Sequence, residues 1–151
     1  MASADAVSQN TQDFFGSYRL AFSPATSVAA TGNTVAILPI LSGGIGNGAY
    51  IIRRITVSNP ANAAGGTVPS FAGANLVVLT SSDGNTSNAV TTAAGQTLGN
   101  VTAVNTWQDL TLVAGAATTA YQANTLFVKL NSGAVANGTL NFSVWGDVVN
   151  F

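Results

Sequence analysis

Short apolar runs recur along the chain between clusters of Gly, Asn and Ser, and within most runs apolar and polar positions alternate. A period of two is the pattern of half-buried β-strands rather than of helices. It predicts eight strands: 17–22 (SYRLAF), 34–40 (TVAILPI), 49–58 (AYIIRRITVS), 74–80 (ANLVVLT), a weak one at 96–102 (QTLGNVT), 106–113 (TWQDLTLV), 125–131 (TLFVKLN) and 138–149 (GTLNFSVWGDVV). Turns fall at 43–48, 59–66, 81–88, 114–124 and 131–138. Their Asn-Gly and Asp-Gly pairs tolerate the positive φ values that tight turns require. Many short strands at this spacing predict an all-β fold, a two-sheet antiparallel β-sandwich.

Alternation also assigns faces. In the last strand Leu140, Phe142 and Val144 share the inward side, and Asn141, Ser143 and Trp145 the outward side. In 125–131, Leu126, Val128 and Leu130 point inward, Phe127 and Lys129 outward. Gly146 after Trp145 reads as a bulge or bend, and Pro39, which has no N–H to donate to a ladder, places its strand at a sheet edge.

The strand 49–58 carries two adjacent cations, Arg53 and Arg54. Neighbours in a strand point to opposite faces. One row would be Ile51, Arg53, Ile55 and Val57, the other Tyr50, Ile52, Arg54 and Thr56, so one arginine is expected inside the sandwich. A buried guanidinium needs a carboxylate or several carbonyls to offset its desolvation. Asp109 and Asp147, both within strands, are the candidate partners. Two readings are open: an Arg–Asp pair that sets strand register inside one subunit, or an arginine that crosses a subunit interface.

Composition changes the picture in one respect. The chain is 47% hydrophobic over 151 residues, enough for one domain with a sizeable core, yet only 6% of residues are charged and the formal net charge is −1. A free monomer ordinarily carries far more surface charge, about 25% of residues. A surface of Thr, Ser, Asn, Ala and Gly suits packing against other protein, where charge is costly to desolvate. The near-zero charge indicates no nucleic-acid and no acidic-membrane partner. Residues 1–13 are polar and read as an N-terminal arm, with 14–151 as a single sandwich domain. The N-terminus lacks a basic region followed by an apolar one, and no apolar run approaches membrane length, so the expectation is synthesis in a cytoplasm without membrane association.

Candidate chemistry is sparse. There is no His and no Cys, and all five acids are aspartates, so the commonest general base and the soft metal ligands are missing. The chain reads as a non-enzyme without cofactor or metal. The loop 81–88 offers Asp83, Asn85, Thr86 and Ser87 but only one full negative charge, which favours a plain turn over a calcium site. The glycine-rich 43–48 lacks the lysine and the following helix of a phosphate loop. Trp107, Trp145, Tyr121 and Phe127 are candidates for exposed rings. They would form either a sugar platform or a surface buried under loops or a neighbouring subunit. Charged and amide groups are not clustered near them along the sequence, which favours burial.

The succession YIIRRITVSNPANAAGG, ANLVVLTSSDGN, TWQDLTLV and TLFVKLNSGAVANGTLNFSVWGDVV resembles small tailed-bacteriophage virion proteins that decorate or cement the capsid. The echoes are the RRITVSNP strand-turn and the closing hairpin, and they cover residues of about 35–150. The resemblance implies a jelly-roll-like sandwich on the outer capsid surface of the virion. It would be a homotrimer that bridges neighbouring copies of the major capsid protein. The alternative is a non-catalytic carbohydrate- or receptor-binding sandwich, such as a fibre head. On the first reading Arg53, Arg54, Asp109, Asp147, Phe127 and Trp145 are interface or structural candidates.

Overall fold

The computed structural model describes residues 18–40 and 49–149. The 1–13 arm and the 43–48 turn lie outside the described residues. Nine strands are present among them: β1 (Tyr18–Ser27), β2 (Gly32–Pro39), β3 (Ala49–Asn62), β4 (Asn75–Leu79), β5 (Gln96–Thr97), β6 (Trp107–Asp109), β7 (Ala120–Tyr121), β8 (Thr125–Ser132) and β9 (Gly138–Val149). All eight expected strands are found. The ninth, β7, is a two-residue strand inside the expected turn 114–124, paired to Tyr50 and Ile51 at one end of β3.

The strands form two antiparallel sheets, one ordered β1-β9-β3-β6 with β7 attached to β3, the other ordered β2-β8-β4-β5. The pairing is nested: β1 with β9, β2 with β8, β3 with β6, β4 with β5. The ladders β3–β9 and β4–β8 then close each sheet. A long hairpin rolled into two facing sheets in this way is a jelly roll. Pro39 lies in β2, an edge strand, where its missing N–H costs no ladder bond.

The inward rows make the core. Leu126, Val128 and Leu130 of β8 face Leu140, Phe142 and Val144 of β9 across the sandwich, with Ile52, Ile55 and Val57 of β3 beside them, all at most 1% exposed. Complete burial of one such side chain stabilises the fold by about 1.5–3 kcal/mol. Strand β4 is buried on both faces, since Val77 and Leu79 are as inaccessible as Leu76 and Val78. On the second face Lys129, opposite Val77, donates to the Gly84 carbonyl of the 81–88 loop at 3.1 Å.

Several boundaries differ from the sequence reading, each for a backbone reason. β1 runs on to Ser27 and β3 to Asn62, through Pro24 and Pro60, because irregularities between Ser23 and Thr26 and between Ser58 and Ala61 absorb the prolines. β6 stops at Asp109, not 113. Leu110 still donates to the Ile55 carbonyl, but Leu112 bridges Thr91 instead, so the chain leaves β3 there. The 96–102 strand shrinks to two residues, after which Leu98 and Val101 bond to the 71–74 segment.

Candidate functional site

The arginine question is answered by a bulge. Across the β3–β9 ladder Ile52 faces Gly146, yet Arg54 faces Trp145, so Arg53 is an extra residue. The insertion shifts the phase of alternation by one. Tyr50 and Ile52 point inward before it, Ile55 and Val57 after it, and both arginines stay outside the core. The expectation that one arginine is buried in the sandwich is therefore corrected. A matching bulge lies on the other side of β9: Arg19 faces Trp145 and Ala21 faces Val144, with Leu20 extra. Leu20 and Ala21 are both buried, while Arg19 and Phe22 lie outward.

Gly146 permits this arrangement. A Cβ there would stand 1.9 Å from the Ile51 carbonyl oxygen. Only glycine lets the β3 backbone approach so closely beside the bulge.

Three cross-strand rows result on the outer face of the β1-β9-β3-β6 sheet. The first is Arg19, Trp145, Arg54. The second is Phe22, Ser143, Thr56, Asp109. The third is Asn141, Ser58, Trp107. In the first row both guanidinium groups attend the indole, with Arg54 Cζ 5.4 Å and Arg19 Cζ 6.0 Å from the Trp145 ring centroid. Arg19 also lies 4.7 Å from the Phe22 centroid. Such contacts contribute on the order of 0.5–2 kcal/mol each.

Between Trp145 and Trp107 the small hydroxyl side chains Thr56, Ser58 and Ser143 leave a hollow of about 280 Å³, with Arg54 and Asp109 also in its lining. Thr56 Oγ1 donates to Asp109 Oδ1 at 2.6 Å. A second hollow of about 260 Å³ shares Thr56, Ser58 and Trp107 with the first and adds Asn59, Asn105 and Thr106. Trp107 thus lines both hollows and is 59% exposed.

The sequence-derived site residues divide. Arg54, Asp109 and Trp145 come together at the first hollow. Arg53 and Asp147 form an ion pair at 2.7 Å with side chains 44% and 39% exposed, and Arg53 also donates to the Ala117 carbonyl at 2.7 Å. Asp147 is thus an arginine partner as expected, but at the surface. Asp109 accepts a hydrogen bond from Thr56 and lines the first hollow together with Arg54. Phe127 is half-buried in β8, on the other sheet, between Ile37 and Leu79. Tyr121 stacks on Tyr50 with centroids 5.9 Å apart, away from the hollow. Burial, and then the neighbouring Tyr121, raise the Tyr50 hydroxyl above the ordinary tyrosine value, and it donates to the Ala123 carbonyl at 2.7 Å.

Arg19, Thr56, Ser58 and Ser143 were not singled out as site residues. The outward row Asn141, Ser143, Trp145 was legible from alternation. Its neighbours depend on register, which the bulges set. Among the described residues no three His, Cys, Asp or Glu side chains gather to hold a metal ion. Asp83 Oδ1 accepts from the Asn85 N–H at 2.9 Å, and Asn85 Oδ1 accepts from the Ser87 N–H at 3.0 Å, as in a plain Asx-type turn. No described helix is long and apolar enough to cross a membrane. Comparison of the chain with protein-family models, curated proteins and solved structures finds no match. The functional reading rests on the geometry and on the sequence.

Proposed function

We propose that this chain is a structural virion protein that binds the outer surface of a tailed-phage head as a homotrimer and cements contacts between major capsid subunits. The observation that carries the reading is the commitment of its few charges. Lys129 and Arg53 bond protein carbonyls, Arg53 also pairs with Asp147, and Arg19 and Arg54 lie over aromatic rings. Asp83 and Asp109 accept hydrogen bonds from this chain. The remaining surface of the described residues is neutral, and Ile37 of the edge strand β2 and Val104 before β6 are 57% and 60% exposed. Neutral, small-residue surface with exposed apolar positions suits contact with protein more than with bulk water. The jelly-roll order adds an analogy only, since that architecture serves capsid and lectin domains alike.

A cementing protein stabilises a shell by binding its assembled state in preference to separated subunits. The test adds purified protein to heads that lack it and follows DNA release on heating. Binding with a raised release temperature is expected, and sedimentation at micromolar concentration should show a trimer. Heads that neither bind the protein nor gain heat resistance would refute the cement role.

A further inference from the structure

We infer that the hollow between Trp107 and Trp145 is a binding site for a neutral oligosaccharide, with Trp107 as the platform between two sugar units. The inference is independent of the capsid reading. Three features carry it.

The first is the pairing of ring faces with hydroxyl-binding groups. Sugars present an apolar C–H face and a rim of hydroxyls that both donate and accept. Trp107 offers an apolar ring that is 59% exposed, although burial of so large a side chain would be favourable. Asp109 keeps acceptor capacity beyond the bond it takes from Thr56; Ser58 and Ser143 can each donate and accept; and Thr56, whose proton goes to Asp109, can accept. The clustering of aromatic, charged and hydroxyl groups is not visible along the sequence, because it joins residues 54–58, 107–109 and 143–145.

The second is charge. Arg54 and Asp109 both line the hollow and offset each other. A phosphorylated or strongly acidic ligand would meet Asp109, and a cationic one would meet Arg54. A neutral polyhydroxylated ligand is opposed by neither.

The third is shape. The first hollow, about 280 Å³, falls just below the range of ligand sites for drug-sized molecules, which run from roughly 300 Å³ upward. A second of about 260 Å³ shares Trp107, Thr56 and Ser58 with it and extends to Asn59 and Asn105. Two adjoining hollows that share one tryptophan fit a chain of sugar rings better than a single compact molecule. Binding of one ring would be weak, and the second ring would strengthen it.

The chain has two tryptophans, and both line this hollow, so tryptophan fluorescence, excited where tyrosine does not absorb, reports on the site alone. The experiment titrates the whole protein with gluco-, manno-, galacto- and N-acetylglucosamine oligomers of one to six units, and repeats positive titrations by calorimetry. Saturable binding by at least one series is expected, at least tenfold tighter for the dimer or trimer than for the monosaccharide. Trp107→Ala should fold, since the ring is mostly exposed, and should weaken binding at least tenfold and remove the length dependence. Asp109→Asn retains an acceptor for Thr56 and should weaken binding severalfold. Absence of saturable binding across all series by folded wild-type protein would overturn the proposal. So would binding left unchanged in Trp107→Ala. If sugars have no effect and Trp107→Ala instead dissociates an oligomer, this face is a contact between copies and the sugar proposal is rejected.

Discussion

Arg54 lies directly opposite Trp145 across the β3–β9 ladder, with its guanidinium carbon 5.4 Å from the indole centroid. The pairing exists because the strand slips by one residue at Arg53. Without the slip one of the two arginines would enter the sandwich core, where its desolvation would cost several kcal/mol. With it, one arginine sits over a ring and the other pairs with a carboxylate at the surface.

That arrangement ranks the two cations. Arg53→Ala removes an exposed ion pair and a bond to the Ala117 carbonyl, and should cost at most about 1 kcal/mol. Arg54→Ala loses its stacking on Trp145 and the packing of its stem, and should cost about 1–2 kcal/mol. Arg54→Lys should recover only part of this, because an ammonium does not stack as a planar guanidinium does. Urea unfolding of the three variants measures the order. A larger loss for Arg53→Ala than for Arg54→Ala would contradict it.

Gly146 should tolerate no side chain. Its Cβ would stand 1.9 Å from the Ile51 carbonyl oxygen, so Gly146→Ala must push β3 away from β9 or break the bulge. A loss of about 3 kcal/mol or more is expected, in the range of severe backbone and packing defects. Gly99, whose Cβ would meet nothing within 4 Å, is the control. Gly99→Ala should shift stability by no more than about 0.5 kcal/mol. Equal thermal midpoints for the two variants would show that the ladder yields there at little cost.

Tyr50 makes stability sensitive to alkali. Its hydroxyl is raised above the ordinary value by burial and by Tyr121, so the folded state holds the proton more tightly than the unfolded state. The stabilisation is complete below the unfolded tyrosine pKa of about 10 and is lost as pH rises from there toward the folded value. Tyr50→Phe should lose about 0.5–1.5 kcal/mol at neutral pH through the bond to the Ala123 carbonyl. It should also flatten the decline above pH of about 10. Denaturant midpoints between neutral pH and pH of about 11 test this, and an unchanged slope in the variant would rule Tyr50 out as its source.

Alternation along each run determined the strand content, the inward rows of β8 and β9 and the edge position of Pro39, because strand period and proline's missing donor are local properties. It also marked Gly146 as irregular. Tertiary structure alone decided where the alternation changes phase. In IIRRITV and RLAF the bulges leave Arg53 and Arg54 together outside, and Leu20 and Ala21 together inside. A strict period of two cannot represent an extra residue, since the extra residue is defined by what the partner strand lacks. The cost of burying a guanidinium was a sequence-level signal for the slip, but it could be met equally by a buried aspartate. The outer face followed from the same cause. Residues near 19, 54, 107 and 145 became neighbours only through the register of four strands, which depends on backbone pairing between segments far apart in the chain.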